Sequence, residues 1–250
     1  MDAKRLRQLH DLGITPWVPR RATPADSFGD APRARPVPTP ASAAPAAGLS
    51  VARGDGQDAR AVAVAAMDWP ILEAAVKACT ACGLRAGCTQ TVFGVGDRGA
   101  RWMVIGEAPG ADEDRQGEPF VGRAGQLLNS MLLAVGLKRE QVYIANVLKC
   151  RPPDNRDPKP QEAELCRPFL ERQIALVQPR LILAVGRIAA QNLLHTETPI
   201  GRLRGQVHRL EGRPLVVTYH PAYLLRSPGE KRKAWADLQL ARRVAEGETP

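Results

Sequence analysis

The sequence predicts an α/β domain, a three-layer α/β/α sandwich with a mostly parallel central sheet. Three observations predict it. Strand-like and helix-like segments alternate along most of the chain. The strand candidates LILAV and LVVTY are continuously apolar, as expected where helices cover both faces of a parallel sheet. Glycines punctuate the helix boundaries, with Gly136 closing one helix and Gly186 starting the turn into the next.

Taken in order, residues 1–21 are charged, with a short amphipathic candidate from Ala3 to Leu12 followed by GITPWVPRR. Residues 22–66 are dominated by Pro, Ala, Gly and Ser, a composition too poor in apolar side chains to bury a core, and read as a disordered linker. A globular pattern occupies 67–250. RWMVIG (101–106) is its first strand and GRAGQLLNSMLLAVG the helix after it. QVYIANVLK is a strand, PQEAELCRPFLERQIALV a helix, RLILAVG a strand and RIAAQNLL a helix. PLVVTYH is the last strand and KRKAWADLQLARRV the last helix.

The chain has 250 residues, 44% of them hydrophobic, enough for one full-sized core plus an accessory segment. No stretch approaches the ~20 consecutive apolar residues that would span a bilayer, and the charged start is unlike a secretory leader. A cytoplasmic protein without a membrane role is expected, and nothing demands more than a monomer. The formal net charge of +9 suits a polyanionic partner, because Lys and Arg gain affinity by releasing counterions from phosphates.

In open α/β sheets ligands bind beyond the C-terminal ends of the strands. Three segments lie there. The first, GEAPGADEDRQGEPFVG, is glycine-rich but matches neither common phosphate-binding pattern, and its acids Glu107, Asp112, Glu113 and Asp114 would repel phosphate. Carboxylates there suit charge stabilisation or water activation, and Phe120 suits stacking on a flat ligand. The second, NVLKCRPP, offers Asn146, whose carboxamide is a fork with one acceptor and one donor. The third, HPAYLLR, places His220 at a strand end, followed by Leu224, Leu225 and Arg226. An exposed apolar wedge beside a cation is what prising open a base step requires; the alternative is that the leucines begin a core-facing helix.

Three of the five cysteines fall between Cys79 and Cys88. In a reducing compartment clustered thiols indicate metal or catalysis rather than disulfides. Four thiolates serve zinc as well as an iron-sulfur cluster, and the C-x15-C spacing of the second pair argues only mildly against zinc.

CTACGLRAGCTQTVFGVGD, GEAPGADEDRQGEPFVGRAGQLL, YIANVLKCRPPDNRDP, LILAVG and HPAYLLR together resemble the family 4 uracil-DNA glycosylases, the iron-sulfur branch of that superfamily. The resemblance runs from about Trp69 to the C-terminus. It implies a 4Fe-4S cluster held by Cys79, Cys82, Cys150 and Cys166, with Cys88 outside the ligand set as a small buried or half-exposed side chain. It also implies flipping of uracil from DNA and hydrolysis of its N-glycosidic bond, as in base excision repair. His220 would donate toward uracil O2, Phe120 would stack on the ring, and Asn146 would read its edge. Ala108 stands where a related family has a water-orienting Asp, which leaves Glu107 to position water or stabilise the cationic sugar. Glu113 is either a second such carboxylate or a wall against the thymine methyl group. Lys149, Arg151 and Arg156 are expected near DNA phosphates, and the cluster is expected to be structural.

RQLHDLGITPWVPRR weakly resembles the peptide by which the psi subunit of bacterial DNA polymerase III docks on its chi partner, through Leu12, Gly13, Ile14, Trp17 and Arg20. It implies a replisome or single-strand-binding partner. Two rival readings are a glycosylase of broader specificity for deaminated bases and a non-catalytic DNA-binding module with structural zinc.

Overall fold

The computed structural model describes residues 55–248, and the peptide 1–21 with most of the Pro/Ala-rich stretch lies outside the described residues. The elements in chain order are α1 (Asp55–Ala65), α2 (Trp69–Lys77), β1 (Val95–Gly96), β2 (Trp102–Gly106), α3 (Ala111–Gln116), α4 (Arg123–Ala134) and β3 (Tyr143–Asn146). They continue with α5 (Pro160–Val177), β4 (Leu181–Val185), α6 (Arg187–Leu194), α7 (Ile200–Leu203), β5 (Val207–Leu210), β6 (Arg213–Thr218), α8 (Pro221–Arg226) and α9 (Lys231–Glu246). Every strand and helix expected between residues 101 and 250 is present. Upstream, α1 folds where the composition indicated linker. Its Val64 is buried in the core, because the run ARAVAVA that follows the last glycine is a good helix former with an apolar stripe.

The sheet has six strands in the order β1-β3-β2-β4-β6-β5. The four central strands are mutually parallel, and the short edge strands β1 and β5 run antiparallel to their neighbours. Side chains alternate across it. Met103, Ile105, Ala145, Ile182, Ala184, Leu215 and Val217 face a core built with α1, α2, α5 and α6. Trp102, Val104, Ile144, Leu181, Leu183, Val185 and Val216 face a second core built with α4, α8 and α9. The three-layer sandwich is therefore formed, and both faces of the parallel strands are dry, as their apolar runs require. Among the described residues no helix is long and apolar enough to cross a membrane.

Strand order reverses at β2, which pairs β3 on one side and β4 on the other. Its C-terminal end is thus a topological switch point, where a cleft opens between the loops that leave neighbouring strands. The end of β6 is fixed from below. Buried Asp237 on α9 accepts from Thr218 Oγ1 at 3.0 Å and from Arg204 Nη2 at 2.7 Å, tying the last helix to the strand that presents His220.

Candidate active site and cysteine cavity

Beyond β2, the chain is clamped to the end of β3. Val147 N donates to Gly106 O and Leu148 N to Glu107 O, both at 3.0 Å. In register, Gly106 lies opposite Asn146. A Cβ at Gly106 would sit 2.5 Å from Asn146 Oδ1 and 2.6 Å from Phe120 Cζ, so glycine is what lets the carboxamide and the ring converge. Asn146 is buried, and its Oδ1 has no hydrogen-bond partner. Such an orphan acceptor in a folded protein demands an explanation.

Glu113 organises the loop. Its Oε2 accepts from Gly110 N at 3.1 Å, and its Oε1 accepts from Val121 N at 3.0 Å and Gly122 N at 3.3 Å. Phe120 sits at the bend these bonds create, with φ +56, a left-handed conformation that a bulky residue adopts only when its surroundings impose it. Arg139 adds to them, donating to Pro119 O at 2.5 Å and Phe120 O at 3.3 Å.

His220 caps α8, with Nδ1 accepting from Ala222 N at 3.2 Å. With Nδ1 so occupied, the neutral ring carries its proton on Nε2. Burial, helped by the nearby Arg226 and opposed by Glu113, lowers the imidazole to about 4, so the ring is neutral at physiological pH. Its face lies against Phe120, with ring centroids 5.6 Å apart and 30° between planes.

Glu107 stands at the mouth of β2. Burial raises its carboxyl to about 7; the charge of Asp157 adds to this and Arg187 opposes it. Asp157 and Arg187 pair at 2.7 Å across the loop that follows β3. Arg156 is held by both oxygens of Glu162, at 2.9 and 2.6 Å, and Arg151 by Asn155 at 2.8 Å.

These groups enclose a cleft of about 450 Å³ whose wall includes Glu107, Ala108, Glu113, Phe120, Asn146, Arg156, Asp157, His220 and Arg226. Eight residues singled out from sequence thus meet in one place. Two expectations are corrected. Leu224 is 1% exposed and packs in the second core beneath the sheet, because α8 begins at the His220 cap and turns that position inward. Leu225, with 36% exposure, is the leucine that reaches solvent. Lys149 is 2% exposed, donates to Asn146 O and Gln173 Oε1, and cannot contact phosphate. Asp157, Arg187, Arg139 and Gly106 were not foreseen. Of these only Gly106, standing at a strand end before the acidic loop, carried a sequence signal.

A second cavity lies on the other side of the β3 end. Cys79, Cys82, Cys150 and Cys166 line it together with Val76, Leu84, Leu148 and Phe169. All five cysteines are free thiols. Burial pushes Cys166 up to about 11 and Cys150 well above the usual thiol range. Cys88 is buried and does not line this cavity; its Sγ donates to Arg85 O at 3.7 Å and accepts from Arg85 Nη1 at 3.8 Å. Arg60 from α1 reaches three wall residues, donating to Leu165 O, donating to Cys79 Sγ at 3.6 Å, and lying 4.8 Å over the Phe169 ring. Among the described residues no three His, Cys, Asp or Glu side chains are grouped as ligands of one metal ion. The four thiols are instead arranged around a shared apolar space.

The uracil DNA glycosylase superfamily profile matches residues 93–239. The chain is 46% identical over 172 residues to a type-4 uracil-DNA glycosylase of Archaeoglobus fulgidus, covering 66% of this chain and 86% of that protein. It is 42% identical over 176 residues to one from Thermotoga maritima, with 69% and 92% covered. A third, from Pyrobaculum aerophilum, is 41% identical over 182 residues, with 70% and 93% covered. With the profile spanning more than half of the chain and these identities sustained over most of each relative, the chain belongs to the type-4 uracil-DNA glycosylase family.

Proposed function

We propose that the protein takes uracil out of the DNA stack and hydrolyses its N-glycosidic bond, leaving an abasic site for base excision repair. One observation carries the reading: a buried carboxamide with an unpaired oxygen shares a cleft with an aromatic face and a neutral imidazole. Asn146 Oδ1 accepts from uracil N3–H while its amide donates to O4. Cytosine offers a lone pair at N3 and an amino group at position 4, so both contacts become repulsive, and leaving polar groups unpaired costs far more than a lost contact. Phe120 stacks on the flipped ring.

As the glycosidic bond stretches, negative charge gathers on the uracil oxygens and positive charge on the sugar. His220 Nε2–H donates to O2, and its low proton affinity keeps the ring a neutral, preorganised donor. Glu107, once ionised, faces the cationic sugar and orients the attacking water. Glu113 has a third role beside the two expected from sequence: it folds the loop that carries Phe120. For DNA, Arg226 and Arg156 line the cleft, and Leu225 replaces Leu224 as the apolar wedge. Arg151 lies in the same loop and supplies a further phosphate contact.

The thiol cavity fits a 4Fe-4S cluster held by Cys79, Cys82, Cys150 and Cys166. Four thiols lining one apolar space are the donor set such a cluster uses; the same set would hold zinc, and bound iron with visible colour distinguishes the two. When bound, the cluster supplies a cross-link between the segment before β1, the loop after β3 and α5. The peptide around Trp17, outside the described residues, serves as a docking element, and a Trp17→Ala chain that keeps every captured partner argues against that role.

The deciding experiment incubates purified protein with a uracil-containing single strand and reveals abasic sites with alkali. Strand cleavage at uracil, and none at cytosine in the same context, is expected. Intact uracil strands from iron-loaded protein overturn the proposal.

A further inference from the structure

Lys149 is the buried charge that the reaction as described leaves unused. It is one residue from Cys150 and lines the thiol cavity, yet its side chain runs back to the end of β3. Nζ donates to the backbone oxygen of Asn146 at 2.9 Å and to Gln173 Oε1 at 2.6 Å. Its backbone N–H donates to Cys166 Sγ at 3.3 Å. Gln173 is itself fixed, donating to Phe93 O at 2.9 Å and to the Tyr143 hydroxyl at 3.2 Å.

Asn146 ends β3, so its carbonyl has left the parallel ladder, which pairs only as far as Gly106 and Asn146. The Lys149 ammonium takes that oxygen. A charged donor on the carbonyl fixes the peptide plane from which the Asn146 side chain projects, while its own backbone is held by a thiol of the second cavity.

We infer that Lys149 is a positioning residue that aims the Asn146 carboxamide at the base and, through its backbone bond to Cys166 Sγ, ties that aim to the thiol cavity. The inference rests on the assignment of Asn146 as the base reader. It predicts that base recognition weakens when the Lys149 ammonium is removed even though Asn146, Phe120 and His220 are intact.

The test compares the iron-loaded wild-type protein with Lys149→Met, which keeps an unbranched apolar stem and deletes the donor, and with Gln173→Leu, which keeps Lys149 but removes its second acceptor. Three quantities are read: iron per chain with visible absorbance, inhibition of strand cleavage by free uracil, and kcat and KM on a uracil-containing single strand. Lys149→Met is expected to raise the free-uracil inhibition constant roughly tenfold, with KM rising more than kcat falls, and Gln173→Leu to raise it by about threefold. A residue that merely supports the fold would lower the thermal midpoint without moving the uracil constant. An unchanged constant in iron-loaded Lys149→Met overturns the inference. If that variant does not load iron, Gln173→Leu decides, and a wild-type constant there overturns it equally. Failure of the wild-type protein itself to cleave or to be inhibited by uracil points instead at the functional assignment.

Discussion

Asn146 and Cys150 are four residues apart, yet they serve cavities held together in opposite ways. In the strand-end cleft the reacting groups are left underused by the fold: Asn146 Oδ1 has no partner, and Glu107 and His220 are shifted by burial away from their ordinary ionisation. Supporting residues carry the hydrogen bonds instead, Glu113 and Arg139 above all. In the thiol cavity the functional groups are themselves the support. Cys150 and Cys166 are packed in the first core, so whatever joins the thiols joins three separate stretches of chain. Damage to the first cavity should therefore appear in rate, and damage to the second in stability.

The largest effect is expected from Cys150→Ala. Loss of one of four thiol donors should abolish visible colour and bound iron and cost on the order of 3–5 kcal/mol of stability, about 10 °C in thermal midpoint. Iron content and calorimetry check this. A colourless variant that melts with the wild type would dissolve the contrast between the cavities.

His220→Ala tests the other side. Removing one preorganised donor to a developing oxyanion typically costs roughly 10²–10³ in kcat. The melting temperature should fall by only a few degrees, the cost of the α8 cap that His220 Nδ1 supplies, since the ring otherwise faces the cleft. Single-turnover cleavage of a uracil strand measures the first and calorimetry the second. A large loss of stability with a small loss of rate would reverse the assignment.

How far the sequence revealed these sites follows from the kind of information each needed. The sheet was legible because strands buried on both faces are apolar throughout, and the cleft was legible because chain order alone places Asn146 and His220 at strand ends. Leu224 and Leu225 could not be separated. Which leucine turns inward depends on where α8 starts, and that is set by a bond from the Ala222 amide to the His220 ring. Glu113 was read as chemistry because nothing local shows a carboxylate curling back to amides eight and nine residues ahead. The helix α1 was hidden by the Pro- and Ala-rich composition before it; its Val64 acquires meaning only against the core it joins.

Glu107→Gln sharpens the comparison, because one substitution should move rate and stability in opposite directions. The folded carboxyl, raised to about 7 from 4.5, holds its proton more tightly than in the unfolded chain. Stability contributed by the neutral form is complete below pH 4.5 and is lost as pH rises through 7. Glutamine cannot ionise, so at pH 8 the variant should be more stable than the wild type by on the order of 1–3 kcal/mol. Activity should behave in reverse. If the carboxylate is the working form, wild-type kcat/KM rises with pH to a plateau above about 7, whereas the variant is slow and flat across the same range. Because His220 is neutral from about pH 5 upward, it adds no second limb there. Parallel pH profiles of cleavage and of urea unfolding check both halves, and a wild-type-shaped rate profile in the variant would remove Glu107 from the reaction.

The smallest effect is expected at Arg60, and it bears on where the folded unit begins. The guanidinium touches Leu165, Phe169 and Cys79, all of which line the thiol cavity, although it belongs to a helix that composition assigned to the linker. Its contacts are partly exposed, so Arg60→Ala should cost only about 1 kcal/mol. The more telling quantity is the lifetime of the proposed cluster. Arg60 covers Cys79, one of the two half-buried thiols of the set, so the variant should lose colour several-fold faster in air or under an iron chelator while its initial rate on fresh protein is unchanged. A decay matching the wild type would mean that α1 packs against the domain without guarding its cofactor, leaving the thiol cavity as self-sufficient as the strand-end cleft is dependent on its surroundings.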